Sequence, residues 1–243
     1  MQLISTVTLP NTLQNLTMIL NAEDLSRLEN PNLIHELDTK EMIQSRNLGE
    51  QFHLVMQQTL MGLPIANLLE SNKTLGQWFS QLKSLAPEIW TEEPNTWKAF
   101  NYCCECTFEN VVLQSNFDLL IYGYEQAEIV NWTTRPMPNL ETLAADWRTQ
   151  LDLFLIAQTD SYLPEQIRLT YWFLNEISDP IKVSLHYNTS SYLTFKSRLN
   201  QTISNLFQAT KAIDANLNDS TLQLLRGTIS LKDYIDSIPE VEI

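Results

Sequence analysis

Residues 117–134 read Phe117-Asp-Leu-Leu-Ile-Tyr-Gly-Tyr-Glu-Gln-Ala-Glu-Ile-Val-Asn-Trp-Thr-Thr134, and this stretch decides the fold that we expect. Two apolar runs, rich in β-branched and aromatic residues, are joined by a short polar link that contains Gly123, which is the pattern of a β-hairpin. The first run carries one acid, Asp118. A carboxylate in a buried strand needs a partner or a chemical task, because its desolvation is costly. The stretch therefore predicts a hairpin with a candidate functional residue on its first strand.

The second strand of this hairpin ends in Val130-Asn-Trp-Thr-Thr134. Together with Asp118, this ending resembles the catalytic hairpin of the PD-(D/E)XK nucleases, in the RecB-like branch. In that family the first strand carries an Asp, and the second ends in Asp-x-Lys, commonly followed by Thr. Asn131 stands where the resemblance places the second Asp, and Thr133 stands where it places the Lys. The resemblance thus implies the nuclease fold with much of its catalytic chemistry removed.

Two helical motifs extend the resemblance, which covers about residues 25–205 by order and spacing. Leu48-Gly-Glu-Gln-Phe-His53 is similar to the family pattern Leu-Gly-x-x-x-His. We expect Gly49 to open a helix, and the resemblance places His53 beside the metals, although a His on such a helix is more often a packing residue. Gln150 and Phe154 are similar to the RecB-type motif Gln-x-x-x-Tyr, with the hydroxyl group missing.

The cysteines exclude the iron–sulfur cluster that many RecB-like members carry. Residues 28–35 resemble a family segment that holds one cluster ligand, but Asn30 stands in place of that Cys, and residues 107–243 contain no Cys for the other three ligands. The cysteines present are too few and too close together for a structural zinc site or a disulfide framework. We expect reduced thiols packed on a strand: Cys103, Cys104 and Cys106.

The missing charges have a chemical consequence. In this family one or two divalent metals lie between the two acids of the hairpin and activate water. Because Asn131 replaces the second acid, any metal here would rely on Asp118 and His53. Magnesium prefers anionic oxygens, and Asn131 offers only a neutral carbonyl. Thr133 carries no positive charge, no Lys occurs between Lys98 and Lys182, and Arg135 is the nearest cation in the sequence. Loss of both charged groups implies a rate of DNA cleavage that is lower by more than about a thousandfold.

Composition limits the partners. The chain has 15 basic and 29 acidic residues, for a net charge of −14. Nucleic-acid binding depends on phosphate neutralisation by Lys and Arg, so this balance disfavours DNA and favours a protein partner. Solubility alone also explains an acidic surface. No apolar run is long enough to span a membrane, and residues 1–10 lack the features of a signal peptide, so we expect a cytoplasmic protein without a membrane partner.

We expect an α/β fold of the restriction-endonuclease-like type, with a mixed sheet core of about four or five strands flanked by helices. An N-terminal extension and helical segment would occupy residues 1–45, the PD-(D/E)XK-like core residues 46–188, and a C-terminal helical segment residues 189–243. Within the core we expect one long helix over residues 140–159. Glu105, on the strand before the hairpin, is either the acid that many relatives carry there or an exposed residue.

Three functions remain open from the sequence. The leading one is a catalytically inactive nuclease-fold protein that acts by binding and needs no cofactor. A protein partner is favoured over DNA because of the acidic balance. The second is a DNA nuclease with an altered active site that depends on Mg²⁺ or Mn²⁺. The third is a protein that binds DNA ends without cutting them. Fold alone does not choose among them.

Overall fold

The structure is a computed structural model that describes residues 18–30, 40–174 and 178–216. The chain divides into two compact units, Ile19–Ser197 on the one hand and Met1–Met18 with Arg198–Ile243 on the other. Every candidate site residue lies in the first unit. The domain boundaries expected at residues 45 and 188 stay predictions, and the part of the expected C-terminal helical segment after residue 216 lies outside the described residues.

The helices of the described residues are α1 (Ala22–Glu29), α2 (Lys40–Leu60), α3 (Ala66–Ser71), α4 (Lys73–Leu85), α5 (Pro87–Trp90), α6 (Leu140–Ala145), α7 (Trp147–Thr159) and α8 (Thr189–Asn216). The strands are β1 (Met18–Leu20), β2 (Thr96–Phe108), β3 (Val111–Gly123), β4 (Ala127–Thr133), β5 (Ile167–Phe173) and β6 (Ile181–His186). None of these helices is both long enough and apolar enough to cross a membrane.

The strands form one mixed sheet in the order β1-β3-β4-β5-β6, with β2 also paired to β3. The pair β4–β5 is parallel, whereas β2–β3, β3–β4 and β5–β6 are antiparallel. A parallel neighbour needs a crossover connection, and α6 and α7 supply it. The expected α/β class and mixed sheet flanked by helices are confirmed. The described sheet has six strands rather than four or five, because the short strand β1 also joins β3.

The expected hairpin is β3 followed by β4. Leu119 pairs with Val130, and Tyr122 pairs with Ala127 at the turn. The N–H of Gly123 donates to the carbonyl of Gln126 at 3.0 Å and closes the link. β3 starts at Val111, earlier than the apolar run alone indicated, since it pairs with β2 from Val111 to Gly123, apart from Asp118.

Helices cover both faces of this sheet. On one face α2 and α4 supply Phe52, Met56 and Trp78 to a core that also contains Val130 and Trp132 of β4. Successive residues of a strand point to opposite faces, so the residue between those two, Asn131, points to the other face. Helix α7 packs there, where the run of residues 151–156 is buried completely. The end of β4 is thus enclosed between α2 and α7.

Two local expectations are wrong. The single helix expected over residues 140–159 breaks at Asp146, which has extended backbone (φ −61°, ψ 140°), and its side chain accepts the N–H of Arg148 at 2.9 Å as the N-cap of α7. Gly49 does not open its helix, because α2 begins at Lys40. Gly49 instead allows a close approach, since a Cβ there would lie 2.9 Å from Oγ1 of Thr134.

This close approach gives a stability prediction. We expect Gly49→Ala to destabilise the fold relative to Gly76→Ala by about 1–3 kcal/mol, because the added methyl group overpacks the contact between α2 and Thr134. Gly76 is the matched control, since it is also helical and its added Cβ would lie 3.5 Å from the nearest atom, the carbonyl of Leu69. Both changes gain helix propensity, so their difference isolates the contact.

Urea denaturation measures both free energies of unfolding. Adding Thr134→Ala to Gly49→Ala should recover part of the loss, because the clashing hydroxyl is removed. Equal stabilities for the two single Gly variants would contradict the proposed contact.

Candidate functional site

An aspartate–histidine pair lies where the hairpin meets α2. Nδ1 of His53 is 2.8 Å from Oδ1 of Asp118. The second carboxylate oxygen of Asp118 accepts the backbone N–H of Trp132 at 2.9 Å. The imidazole ring also lies beside the Trp132 ring, with 6.1 Å between the ring centres. The structure therefore brings together the two residues expected to flank a metal, and both oxygens of the carboxylate are engaged within the protein.

A cleft of about 190 Å³ opens beside this pair. Its lining includes Glu50 and Gln57 of α2, next to His53 and Asp118. Glu50 and His53 are three residues apart on one helix and so lie on the same helix face. Glu50 is exposed, and the sequence motif did not distinguish it from other surface acids.

Asn131 does not line this cleft, although it occupies the strand position at which the family resemblance places the second acid. Its side chain is only 1% exposed. Oδ1 accepts the backbone N–H of Asp118 at 3.1 Å, and Nδ2 donates to Oδ2 of Asp152 on α7 at 3.0 Å. The amide therefore uses its acceptor on one strand and its donor on a helix, which a carboxylate in the same place could not do.

Asp152 is the acid at the centre of this buried network and is 0% exposed. Its other oxygen, Oδ1, accepts the hydroxyl of Ser115 at 2.5 Å. Burial raises the pKa of Asp152 to about 6, against the opposing effects of the Arg148 charge and the hydrogen bonds from Ser115 and Asn131. The network thus holds a carboxylate whose charged form is costly and is offset by neighbours.

Arg148 is the cation of this network. Desolvation disfavours its charge, but Asp152, and after it Tyr171, Asp118 and Asp146, raise the pKa of the guanidinium. Arg148 also lines a second, more polar cleft of about 520 Å³ together with Arg135 and Ser115. The cation whose charge interacts with Asp118 is therefore on α7, whereas the sequence alone pointed to Arg135.

Asp152 and Arg148 were missed by the sequence analysis, and only one of them left a signal there. Asp152 is the single acid inside an apolar helical run, residues 151–156, so the reasoning applied to Asp118 also applies to it. Arg148 occupies the first turn of α7 in an ordinary polar setting, and only the fold brings it near Asp118.

The remaining candidates have local partners. Oγ1 of Thr133 accepts the N–H of Arg135 at 3.1 Å. Gln150 donates to the carbonyl of Ala144 in the preceding helix. Glu105 is exposed and accepts Nε2 of Gln114 across the strand pair at 2.5 Å, so it lies outside the cleft. Neither Thr133 nor Gln150 belongs to the lining of the cleft that holds His53 and Asp118.

The three cysteines are free thiols on β2, as expected. Cys103 is exposed, whereas Cys104 is buried with its sulfur 3.5 Å from Oγ1 of Thr159. Burial raises the pKa of Cys106 to about 11, which keeps this thiol protonated and unreactive.

The donors present do not fit the divalent metal that the family resemblance implies. Asp118 uses one oxygen for His53 and the other for a backbone N–H, and Asn131 is bonded to Asp152. Within residues 18–30, 40–174 and 178–216, no group of three or more His, Cys, Asp or Glu side chains could hold a metal ion. A metal bridging the two strands of the hairpin would have to displace several of these bonds.

Comparisons with protein-family models and with curated proteins gave no match. Among solved structures, the chain is similar to a provisionally assigned exonuclease from Eubacterium rectale at 8% identity, covering 100% of this chain and 96% of that one, with a TM-score of 0.46. It is also similar to a protein named SSO0001 at 12% identity, covering 76% and 75% of the two chains, with a TM-score of 0.34. Likenesses this distant decide nothing about the chemistry of the site.

The buried network predicts a severe effect for Asn131→Asp. Two carboxylates would then face each other without a proton between them, and we expect a loss of about 3–5 kcal/mol in stability at pH 8. The loss should shrink at pH 5, where one carboxyl group can be protonated and donate. Thermal and urea unfolding at the two pH values measure it. Asn139→Asp is the matched control, because Asn139 is an exposed N-cap and Asp serves equally well there.

Exchanging the two side chains tests the same network more sharply. In Asn131→Asp combined with Asp152→Asn, the new Asn donates to the new Asp and accepts from Ser115, so every bond has a donor and an acceptor. We expect the double variant to be more stable than Asn131→Asp alone by at least about 2 kcal/mol. Additive losses would contradict the bonding described here.

Asp152 also predicts a pH dependence of stability. Its folded pKa of about 6 lies above the ordinary value of 3.8, so the folded state binds this proton more tightly than the unfolded state. Stability should therefore rise, by up to about 3 kcal/mol, as the pH falls from about 7 to about 4. Asp152→Asn should remove this rise, whereas Glu70→Gln, a change of an exposed acid on α3, should keep it. Parallel curves for wild type and Asp152→Asn would refute the assignment.

Proposed function

We propose that this chain is a RecB-like protein of the PD-(D/E)XK nuclease fold that does not cleave nucleic acid and acts by binding a protein partner. The observation that carries the proposal is the position of Asn131. Its neutral amide is buried and bonded to Asp118 and Asp152, so the cleft beside His53 holds no second hairpin acid.

The charge distribution supports the loss of cleavage. A nuclease of this class needs negative ligands for the metal and a cation near the phosphate. Here the second acid is on α7 instead of β4, and it is 0% exposed. Arg148, the cation near it, interacts with that buried acid. Thr133, at the expected Lys position, bonds its own loop through the N–H of Arg135.

The overall charge supports a protein partner over DNA. With 29 acidic and 15 basic residues, the chain repels a polyphosphate backbone over most orientations of approach. A basic protein surface is attracted to this chain, because complementary charge raises the association rate. We place this function in the cytoplasm, in keeping with the sequence.

One observation favours the second candidate, a metal-dependent DNA nuclease with an altered site. Glu50 lines the same cleft as His53 and Asp118. An acid delivered from α2 would replace the missing strand acid if its side chain turned toward Asp118. No cation of the described residues lines that cleft, so this candidate still lacks the positive group.

A nuclease assay with Mn²⁺ on single- and double-stranded DNA separates the two candidates. We expect no cleavage by the wild-type chain. Cleavage by the wild type that is lost in both Asp118→Ala and Glu50→Gln, but kept in Glu70→Gln, would overturn the proposal in favour of the altered nuclease. Cleavage that survives Asp118→Ala identifies a contaminating enzyme.

A second readout follows Mn²⁺ binding by calorimetry. We expect wild-type affinity to be weak and unchanged in Asp118→Ala, because both Asp118 oxygens already have partners. A gain of cleavage on adding Thr133→Lys to the exchanged pair at 131 and 152 would support the nuclease ancestry, with the exchanged pair alone as control.

A further inference from the structure

Three exposed aromatic side chains form a patch at the end of the sheet that carries the hairpin turn. None of them lines the His53 cleft, although Phe100 of β2 does. Trp97 of β2 is 46% exposed, Tyr122 of β3 is 36% exposed, and Tyr124 in the hairpin turn is 77% exposed. The Trp97 and Tyr122 rings stack at 6.0 Å between centres, and Trp97 meets Tyr124 edge to face at 5.5 Å. We call these three residues the end patch. Clustered aromatic groups of this kind are the usual energetic centre of a binding surface.

The turn beneath the end patch is held in place by neighbouring loops. Gly123 packs so closely that a Cβ there would lie 3.1 Å from the carbonyl of Asn95. The hydroxyl of Tyr162 donates to the carbonyl of Gly123, and Nε2 of Gln166 donates to the carbonyl of Glu125 at 2.8 Å. A fixed turn lowers the backbone entropy that is lost when a partner binds to its side chains.

Acidic residues surround the end patch. Glu92, Glu93 and Glu125 are all exposed, and Glu93 sits next to β2, where its carbonyl accepts the N–H of Thr96 at 3.2 Å. Lys98 on β2 offsets part of this charge. Its ammonium donates to the carbonyls of Glu88, Ile89 and Thr91, the first and last at 2.6 Å. Desolvation lowers the pKa of Lys98, and the charges of Glu93, Glu92 and Glu88 raise it. The end patch therefore combines aromatic faces with exposed acids that outnumber this one cation.

Within the described part of the chain, one edge of the strand that carries Trp97 has no strand partner. Among the described strands, β2 pairs only with β3. Asn101 interrupts β2, with a positive φ of 47° and no partner in the register, so the straight part beside the end patch is residues 96–100. Unpaired N–H and C=O groups on such an edge accept an extended segment of another chain.

We propose that an extended, Lys- and Arg-rich segment of a partner protein docks here, by pairing with β2 at residues 96–100. Its cationic groups stack on the end patch and pair with Glu92, Glu93 and Glu125. Arg side chains stack on the faces of Trp and Tyr rings through cation–π contact, and the surrounding acidic residues attract the same positive charge. The inference rests on the proposed protein-binding function and names the chemistry of the partner. Single-stranded nucleic acid also stacks on aromatic groups, but its phosphates need several cations, whereas Glu92, Glu93 and Glu125 outnumber Lys98 on this surface.

The test uses the full chain and a labelled peptide of alternating Arg and Val, long enough to pair with residues 96–100, in fluorescence anisotropy. We expect binding that weakens about tenfold in Tyr124→Ala and several-fold in Glu125→Gln. Tyr124→Phe should keep binding, since the ring remains. The controls are Met61→Ala, which removes a side chain that is 64% exposed elsewhere, and Glu70→Gln, which removes an exposed acid on α3.

Three further probes test the mode of binding. The same peptide with Glu in place of Arg should not bind, and a version with Pro at alternate positions should bind at least about tenfold more weakly, because it cannot pair with the strand edge. A thymidine oligonucleotide should not bind. The inference is overturned if the Arg peptide fails to bind, if Tyr124→Ala or the Pro version has no effect, or if the oligonucleotide binds through the end patch.

The peptide-binding assay and the nuclease assay distinguish a failure of the docking inference from a failure of the proposed function. Mn²⁺-dependent cleavage that requires Asp118 would overturn the inactive-nuclease proposal, whatever the peptide does. Absence of cleavage together with absence of peptide binding would overturn the docking inference alone.

Discussion

The hydrogen bond from Asn131 to Asp152 is the interaction on which the rest of the site depends. It joins the second strand of the hairpin to α7, while the carbonyl oxygen of the same amide receives the N–H of Asp118 on the first strand. One side chain thus ties three elements together. Because its donor and its acceptor are both used, neither an acid nor an apolar residue fits this place without leaving a buried group unpaired.

This arrangement determines where charge resides. Negative charge lies on Asp152 inside the protein, next to Arg148, instead of on the strand position that faces an incoming metal in the family resembled. The cleft keeps only the His53–Asp118 pair and the exposed Glu50. A polar network of this kind limits chemistry in the cleft and at the same time holds α7 against the sheet. This distribution of charge is the reason that we propose a binding function instead of phosphodiester hydrolysis.

The sequence predicted the hairpin from its local pattern, and the family resemblance placed His53 and Asp118 beside the same metals without predicting the direct contact between them. It did not predict β1, whose three residues form a strand only beside β3, or the break at Asp146, which depends on capping α7. Asp152 was detectable as a lone acid in an apolar helix. Arg148 was not, since its proximity to Asp118 arises only when α7 packs on the sheet.

The buried network matters more for register than for net stability. A fully bonded polar pair is often worth little more than a well-packed apolar pair of the same size. A slip of β4 by one residue, however, would turn Asn131 toward α2, and Oδ2 of the buried Asp152 would lose the donor that β4 supplies. That penalty fixes β4 against β3, and β3 in turn carries Tyr122 and the turn with Tyr124 to the far end of the sheet. The bond between Asn131 and Asp152 thus helps to set the position of the aromatic residues at the hairpin turn.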